Sequence, residues 1–146
     1  MRYLLDTNII LAYFKENEVS TEVERLYTPF NTPNIGLISV ISAGEIKAIA
    51  YKNRWGRTKL EKLELLLGEF TTVGIHAKTI VNRYAEINAY SQGKWSPPLP
   101  VGMSARNMGK NDLWIAATAS IVQAKLITTD RDFDHLHNVF VEVITI

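Results

Sequence analysis

What the sequence lacks narrows the kinds of protein it can encode. It contains no cysteine, which excludes disulfides and thiolate metal sites and leaves carboxylate oxygens and three histidines as metal ligands. No apolar run approaches the roughly 20 residues that a membrane helix needs, and no charged leader precedes an apolar stretch, so we expect a cytoplasmic protein. A glycine-rich phosphate loop and a serine-nucleophile turn are both missing, which argues against nucleoside-triphosphate hydrolysis and Ser-His-Asp chemistry.

The net charge is also small, at +1, so the distribution of charge is more informative than its total. Hydrophobic residues make up 47% of the 146 residues, which is enough for a globular core, and we expect a single domain that spans residues 1–146. Basic residues cluster in Lys52–Arg57 and Arg106–Lys110. An acidic pocket with basic surroundings would suit a polyanionic substrate, although each cluster also fits ordinary solvated surface charge.

Short apolar runs alternate with helical patterns along the chain. The strand candidates are Arg2–Leu5, Ile35–Ile38, Phe70–Val73, Leu126–Thr129 and Val139–Ile144. The helix candidates are Thr7–Lys15, Thr21–Tyr27, Ser39–Lys52, Thr58–Leu67, Ala77–Ser91 and Lys110–Ala124. This alternation favours an α/β sandwich around a mainly parallel sheet, in which binding sites form outside the carboxyl ends of the strands.

Two acids stand at the ends of predicted strands. Asp6 follows the apolar run Tyr3–Leu5, and Asp130 follows Lys125–Thr129. At one edge of a sheet, paired carboxylates repel each other unless a cation or a proton lies between them. Because oxygen ligands dominate, the pair predicts a magnesium or manganese site in preference to zinc. Each aspartate also fits the simpler role of a helix N-cap.

Two further acids lie on apolar faces of predicted helices. Glu45 and Asp112 each have mainly small or apolar neighbours three and four residues away. Burying an unpaired carboxylate is costly, so each needs a partner or a proton, although Asp112 also fits a first-turn acid that complements the helix dipole. Together with Asp6 and Asp130, they could supply the oxygen ligands of one or two magnesium ions and support phosphodiester hydrolysis by an activated water.

The segment Ser91–Ser104 interrupts the alternation, because it holds three prolines and two glycines. Loops of this length are often functional in compact domains. Four side chains in or near it could stack on bases and contact the phosphates of a single strand: Lys94, Trp95, Arg106 and Lys110. A dimer contact or a disordered lid is an equally reasonable interpretation of this segment.

Four motifs make the chain similar to PIN-domain proteins, and most closely to the VapC-like toxins of type II toxin–antitoxin pairs. The motifs are Leu4–Ile10, Ile38–Ile46, Asn111–Ala117 and Leu126–Phe133, and they occur in the family's order. The resemblance implies a PIN-like three-layer α/β/α sandwich. It also implies an endoribonuclease that cleaves single-stranded or structured RNA with Mg²⁺, for which Mn²⁺ can substitute. Such toxins are often homodimers and are silenced by an antitoxin, which usually feeds a peptide with a basic side chain into the acidic pocket.

Carried over residue by residue, the resemblance assigns catalytic and metal-binding roles to Asp6, Glu45, Asp112 and Asp130. The flanking residues that would hydrogen-bond to these ligands or to bound water are Thr7, Asn8 and Thr129. The proline-rich segment is longer than the family pattern, which puts the substrate channel and the dimer surface in question.

The remaining candidate ligands are weaker. Asp132 and Asp134 follow Asp130 closely and could bind metal as auxiliary ligands, but acids in such positions more often face solvent. The histidines do not recur with metal-ligand spacing beside the acids. We therefore interpret them as surface or capping residues: His76, His135 and His137.

Three other functions fit parts of the pattern. A housekeeping RNA-processing nuclease would use the same four acids, although the small size of the chain favours a toxin. A catalytically idle module that binds RNA or protein would not need all four. A phosphatase with a strand-end aspartate as nucleophile would place a second acid two residues later, where this chain has Asn8.

Overall fold

The computed structural model describes every residue from Met1 to Ile146 and has a five-stranded, fully parallel sheet at its centre. The strands are β1 (Arg2–Leu5), β2 (Ile35–Ser39), β3 (Thr71–Val73), β4 (Lys125–Thr128) and β5 (Val143–Thr145). Their order is β3-β2-β1-β4-β5, so β1 is central and pairs with β2 and β4. Consequently β1 and β4 end side by side, with Leu5 opposite Ile127.

Six α-helices and one 3₁₀ helix connect the strands. They are α1 (Thr7–Lys15), α2 (Glu18–Tyr27), α3 (Val40–Lys52), α4 (Arg57–Gly68), α5 (Lys78–Ser91), α6 (Lys110–Ile121) and the 3₁₀ helix Arg131–Leu136. None of these helices has the length and apolar character that crossing a lipid bilayer requires.

The sheet lies between two helical layers. Successive strand residues point to opposite faces, so Leu4 and Leu126 pack with α5 and α6, whereas Leu5 and Ile127 pack on the other face with α1, α3 and α4. Each fully buried side chain of this size contributes about 1.5 to 3 kcal/mol relative to an exposed one. The predicted three-layer α/β/α sandwich with a parallel sheet is therefore confirmed.

The predicted bounds of most elements agree with the structure to within a few residues, and the largest difference is in the last strand. The predicted run Val139–Ile144 begins in an exposed turn, since Asn138 has φ 58°, and the strand itself starts only at Val143. Helix α2 starts earlier than predicted because the side chain of Asn17 accepts a hydrogen bond from the N–H of Val19. Helix α6 stops short of Ala124.

His135 is buried completely, so its interpretation as a surface or capping residue is wrong. Its Nε2 lies 2.8 Å from the Ser91 hydroxyl, and its ring stacks parallel to that of Tyr90. Burial lowers the pKa of His135 to about 4, with the charge of Arg106 acting in the same direction, so the imidazole is neutral at pH 7. His76 and His137 are exposed, as expected.

The Tyr90 hydroxyl donates a hydrogen bond of 3.0 Å to the buried carbonyl of His135. We expect Tyr90→Phe to lower the free energy of unfolding by about 1 to 2 kcal/mol, because the carbonyl loses its donor. Urea denaturation at pH 7 measures the change. Tyr51→Phe is the control, since Tyr51 is 68% exposed and should show no change. Equal stability of both variants would contradict the contribution of this hydrogen bond.

Candidate active site

Asp6 and Asp130 meet at the carboxyl edge of the sheet because β1 and β4 are neighbours. Asp6 is only 5% exposed and caps α1, where its Oδ1 accepts a hydrogen bond of 2.7 Å from the N–H of Thr7. Asp130 caps the 3₁₀ helix and accepts a hydrogen bond of 2.8 Å from the N–H of Asp132. Both residues therefore act as helix caps through Oδ1, and the second carboxylate oxygen of each can accept a further interaction.

Thr128, the last residue of β4, links the two acids. Its hydroxyl donates a hydrogen bond of 2.8 Å to Oδ2 of Asp6 and accepts one of 2.9 Å from the N–H of Asp130. The adjacent Thr129, which the sequence predicts as a supporting residue, follows the end of β4, is exposed, and makes no side-chain hydrogen bond to the acids.

Glu45 is half-buried on α3 and is held by Thr7. The Thr7 hydroxyl donates a hydrogen bond of 2.8 Å to Oε1 of Glu45 and lies 3.0 Å from the hydroxyl of Ser42. The contact expected of Thr7 is therefore present. Asn8 lines the same cleft but is exposed, and its side chain makes no hydrogen bond to a carboxylate. Ser42 was not predicted as a supporting residue.

Three carboxylates lie close enough to share one cation. One oxygen from each of Asp112, Asp130 and Asp132 falls within 4.8 Å of the others. Asp132 was expected to face solvent, and its side chain is indeed exposed, but it also borders this cluster. Asp134 is elsewhere, paired with Arg131 at 3.5 Å.

Burial and the neighbouring acids raise the pKa values of Asp112 and Asp6. Burial raises the pKa of Asp112 to about 6, and the charges of Asp6, Asp130, Glu45 and Asp132 add to the effect. Burial also raises the pKa of Asp6, although hydrogen bonds from Thr128 and Thr7 oppose that rise. The repulsion anticipated from the sequence is therefore present in the fold.

The donor set fits a hard divalent cation. All the converging ligand atoms are carboxylate oxygens, which Mg²⁺ and Mn²⁺ prefer, and no histidine belongs to the cluster. The hydroxyls of Thr7 and Thr128 hold Glu45 and Asp6 in fixed orientations, as ligand-supporting groups do in metal sites.

A cleft of about 340 Å³ opens in front of the acids. Besides acidic residues, its walls contain Thr7, Asn8, Leu11, Ala48, Ile49 and Lys52. None of the four basic and aromatic residues predicted to contact a nucleic acid lines this cleft. Lys94, Trp95 and Lys110 are exposed, whereas Nε of Arg106 is buried without a hydrogen-bond partner.

Fold and cleft together define an α/β protein with a candidate divalent-cation site at the carboxyl edge of a parallel sheet. The family model described as the PIN domain matches residues 3–138, and the chain therefore belongs to the PIN-domain family, whose members are generally nucleases. Among individually curated protein sequences, none matches this chain.

Solved structures extend the comparison over nearly the full length of the chain. VapBC2 from Rickettsia felis, bound to a promoter DNA fragment, gives a TM-score of 0.75 at 23% identity and covers 98% of both chains. VapBC-1 from nontypeable Haemophilus influenzae gives a TM-score of 0.74 at 25% identity, and the match covers 99% of this chain and 98% of that chain. VapBC-5 from Mycobacterium tuberculosis, a member of the VapBC family of toxin–antitoxin systems, gives a TM-score of 0.62 at 20% identity. The match covers 99% of this chain and 98% of that chain.

Removing one acid should stabilise the protein in the absence of metal. The pKa of Asp112 is about 6 in the folded protein, against an ordinary value of 3.8, so between these values the folded state binds more protons than the unfolded state. The free energy of unfolding therefore falls as the pH rises from 3.8 to about 6. We expect Asp112→Asn in EDTA to gain about 1 to 2 kcal/mol above pH 6 and little at pH 4, after allowance for solvent screening.

Thermal unfolding in EDTA between pH 4 and pH 8 measures this effect. Glu69→Gln is the control, because Glu69 is exposed, does not line the cleft and forms no ion pair. A lower melting temperature for Asp112→Asn throughout this range would contradict mutual repulsion among the acids.

Proposed function

We propose that this chain is a Mg²⁺-dependent endoribonuclease, with Mn²⁺ as a substitute, and the toxin of a toxin–antitoxin pair. The convergence of Asp6, Glu45, Asp112 and Asp130 on one cleft carries the proposal, because like charges gather in this way chiefly to hold cations. Membership of the PIN-domain family supports nuclease activity, and Lys52, which lines the cleft with the acids, could contact a phosphate of the RNA.

In this proposal, Asp6, Glu45, Asp112 and Asp130 are the ligands of the cation or cations, and Asp132 is an auxiliary ligand beside Asp112 and Asp130. A bound divalent ion would supply an activated water and would stabilise negative charge on the attacked phosphate. The protein's own contribution is orientation. The Thr128 hydroxyl holds the carboxylate of Asp6, and the N–H of Asp132 holds the carboxylate of Asp130, so both are oriented before the substrate enters.

An antitoxin is the proposed protein partner. The similar solved structures include several VapBC complexes, and one of these was determined with promoter DNA. A basic side chain from an antitoxin peptide would relieve the repulsion in the cleft and would compete with the metal. A homodimer and a cytoplasmic location belong to the same proposal. The proposed RNA contacts are Lys94, Trp95, Arg106 and Lys110.

A housekeeping RNA-processing nuclease is the alternative, because it would use the same site. A small overlapping upstream gene for a DNA-binding protein would distinguish a toxin from this alternative. A catalytically idle module is less well supported, because the orienting hydrogen bonds from Thr7 and Thr128 are intact.

Neutralising a ligand should abolish activity without unfolding the protein. We expect Asp6→Asn and Asp112→Asn each to reduce Mg²⁺-dependent cleavage of single-stranded RNA at least about 100-fold, because a lost ligand weakens both the binding and the orientation of the metal. Gel-based cleavage assays and circular dichroism measure activity and fold. Asp134→Asn is the matched control and should retain activity. Undiminished cleavage by both site variants would refute the assignment.

Thr128 should matter for metal binding although it is not a ligand. We expect Thr128→Val, which keeps the shape of the side chain, to weaken Mn²⁺ binding about tenfold or more, because Asp6 and Asp130 lose the hydroxyl that links them. Isothermal titration of the metal-free protein measures the affinity. Thr129→Val should bind like the wild type. Equal affinities for the two variants would argue against the positioning role.

A further inference from the structure

The cleft continues away from the acids along one face of α3. Beyond Glu45, this wall consists of Ala48, Ile49 and then Lys52, and Leu11 of α1 also lines the cleft. Lys52 is the only basic residue among those that line the cleft. The cleft therefore has an acidic end, an apolar middle and a cationic end.

Lys52 is free to bind a ligand. It is exposed, and no carboxylate oxygen lies within 4.0 Å of its ammonium group, even though several acids line the same cleft. Neighbouring cations are different, because Lys47 pairs with Glu64 at 3.2 Å and Arg57 pairs with Glu61 at 2.9 Å. Lys52, the one basic residue of the cleft lining, thus has no internal carboxylate partner.

The spacing along α3 matches a ligand in which anionic and apolar groups alternate. Seven residues separate Glu45 from Lys52, which is close to two turns and about 10 Å along the helix axis. A phosphate held near the acids by a cation would be followed by a sugar and base against the apolar wall. The next phosphate would then reach the flexible side chain of Lys52.

We propose that Leu11, Ala48, Ile49 and Lys52 form the subsite for the nucleotide next to the scissile bond of a single RNA strand. The apolar residues contact the sugar and base, and Lys52 contacts the neighbouring phosphate. This inference rests on the proposed ribonuclease activity and adds to it the direction in which the strand leaves the metal site, along α3. Lys52 positions the substrate and takes no part in the bond-breaking step.

The first test is the kinetics of Lys52→Gln on a fluorescent single-stranded RNA dodecamer. We expect KM to rise about five- to twentyfold with kcat unchanged, because the lost contact involves a phosphate that does not react. The slope of log KM against log salt should fall by about 0.7, the value for one phosphate contact on a single strand. Lys52→Arg should restore most of the affinity, and Lys47→Gln, the matched control on α3, should behave like the wild type.

A second test locates the contact on the RNA. After the cleavage site is mapped, a neutral methylphosphonate replaces one flanking phosphate at a time. Replacement of one phosphate next to the scissile bond should raise the KM of the wild type about tenfold. The same replacement should not raise the KM of Lys52→Gln any further. A penalty that is the same in both proteins at every position would overturn the subsite, as would an unchanged KM or a loss confined to kcat.

The outcomes also separate this inference from the function on which it rests. A wild-type protein that cleaves the RNA while Lys52→Gln matches it would disprove only the subsite. A wild-type protein that neither cleaves the RNA in Mg²⁺ nor binds it in Ca²⁺, by fluorescence anisotropy, would disprove the ribonuclease proposal and the subsite together.

Discussion

The parallel pairing of β1 with β4 is the constraint on which the rest of the structure depends. The N–H of Asp6 donates a hydrogen bond of 3.0 Å to the carbonyl of Ile127, so the chain leaves both strands at the same point on the sheet. Helices α3 and α6 belong to opposite layers, and each brings its acid to that point. The cleft therefore forms where two layers and the edge of the sheet meet, as expected for an open parallel sheet.

The fold opposes the electrostatic repulsion that this arrangement creates. The apolar strand residues behind the acids, such as Leu5 and Ile127, are fully buried, and the hydrogen bond from the Thr128 hydroxyl favours the ionised form of Asp6. Packing of the buried strands and hydrogen bonds from Thr7 and Thr128 thus hold the acids in place despite their mutual repulsion. A rigid frame of this kind lets a ligand bind without first reorganising the protein.

Local signals explain what could be predicted from the sequence. The bounds of α1 follow from Asp6 as its cap and from the apolar residues after it, and the four acids stood out against apolar neighbours. Features that depend on long-range packing could not be predicted. Which of Thr128 and Thr129 contacts Asp6 depends on how β4 pairs with β1. The burial of His135 depends on its contact with α5, and the place of Lys52 in the cleft depends on how α1 packs against α3.

The hydrogen bond between Thr128 and Asp6 joins residues 122 positions apart in the chain. Contacts of this separation form late, because most of the polypeptide must be ordered before the two ends meet. During synthesis, β1 and α1 emerge long before β4, so a growing chain carries Asp6 without its partners. The acidic site is therefore completed only after Thr128 and Asp130 have been synthesised and β4 has paired with β1.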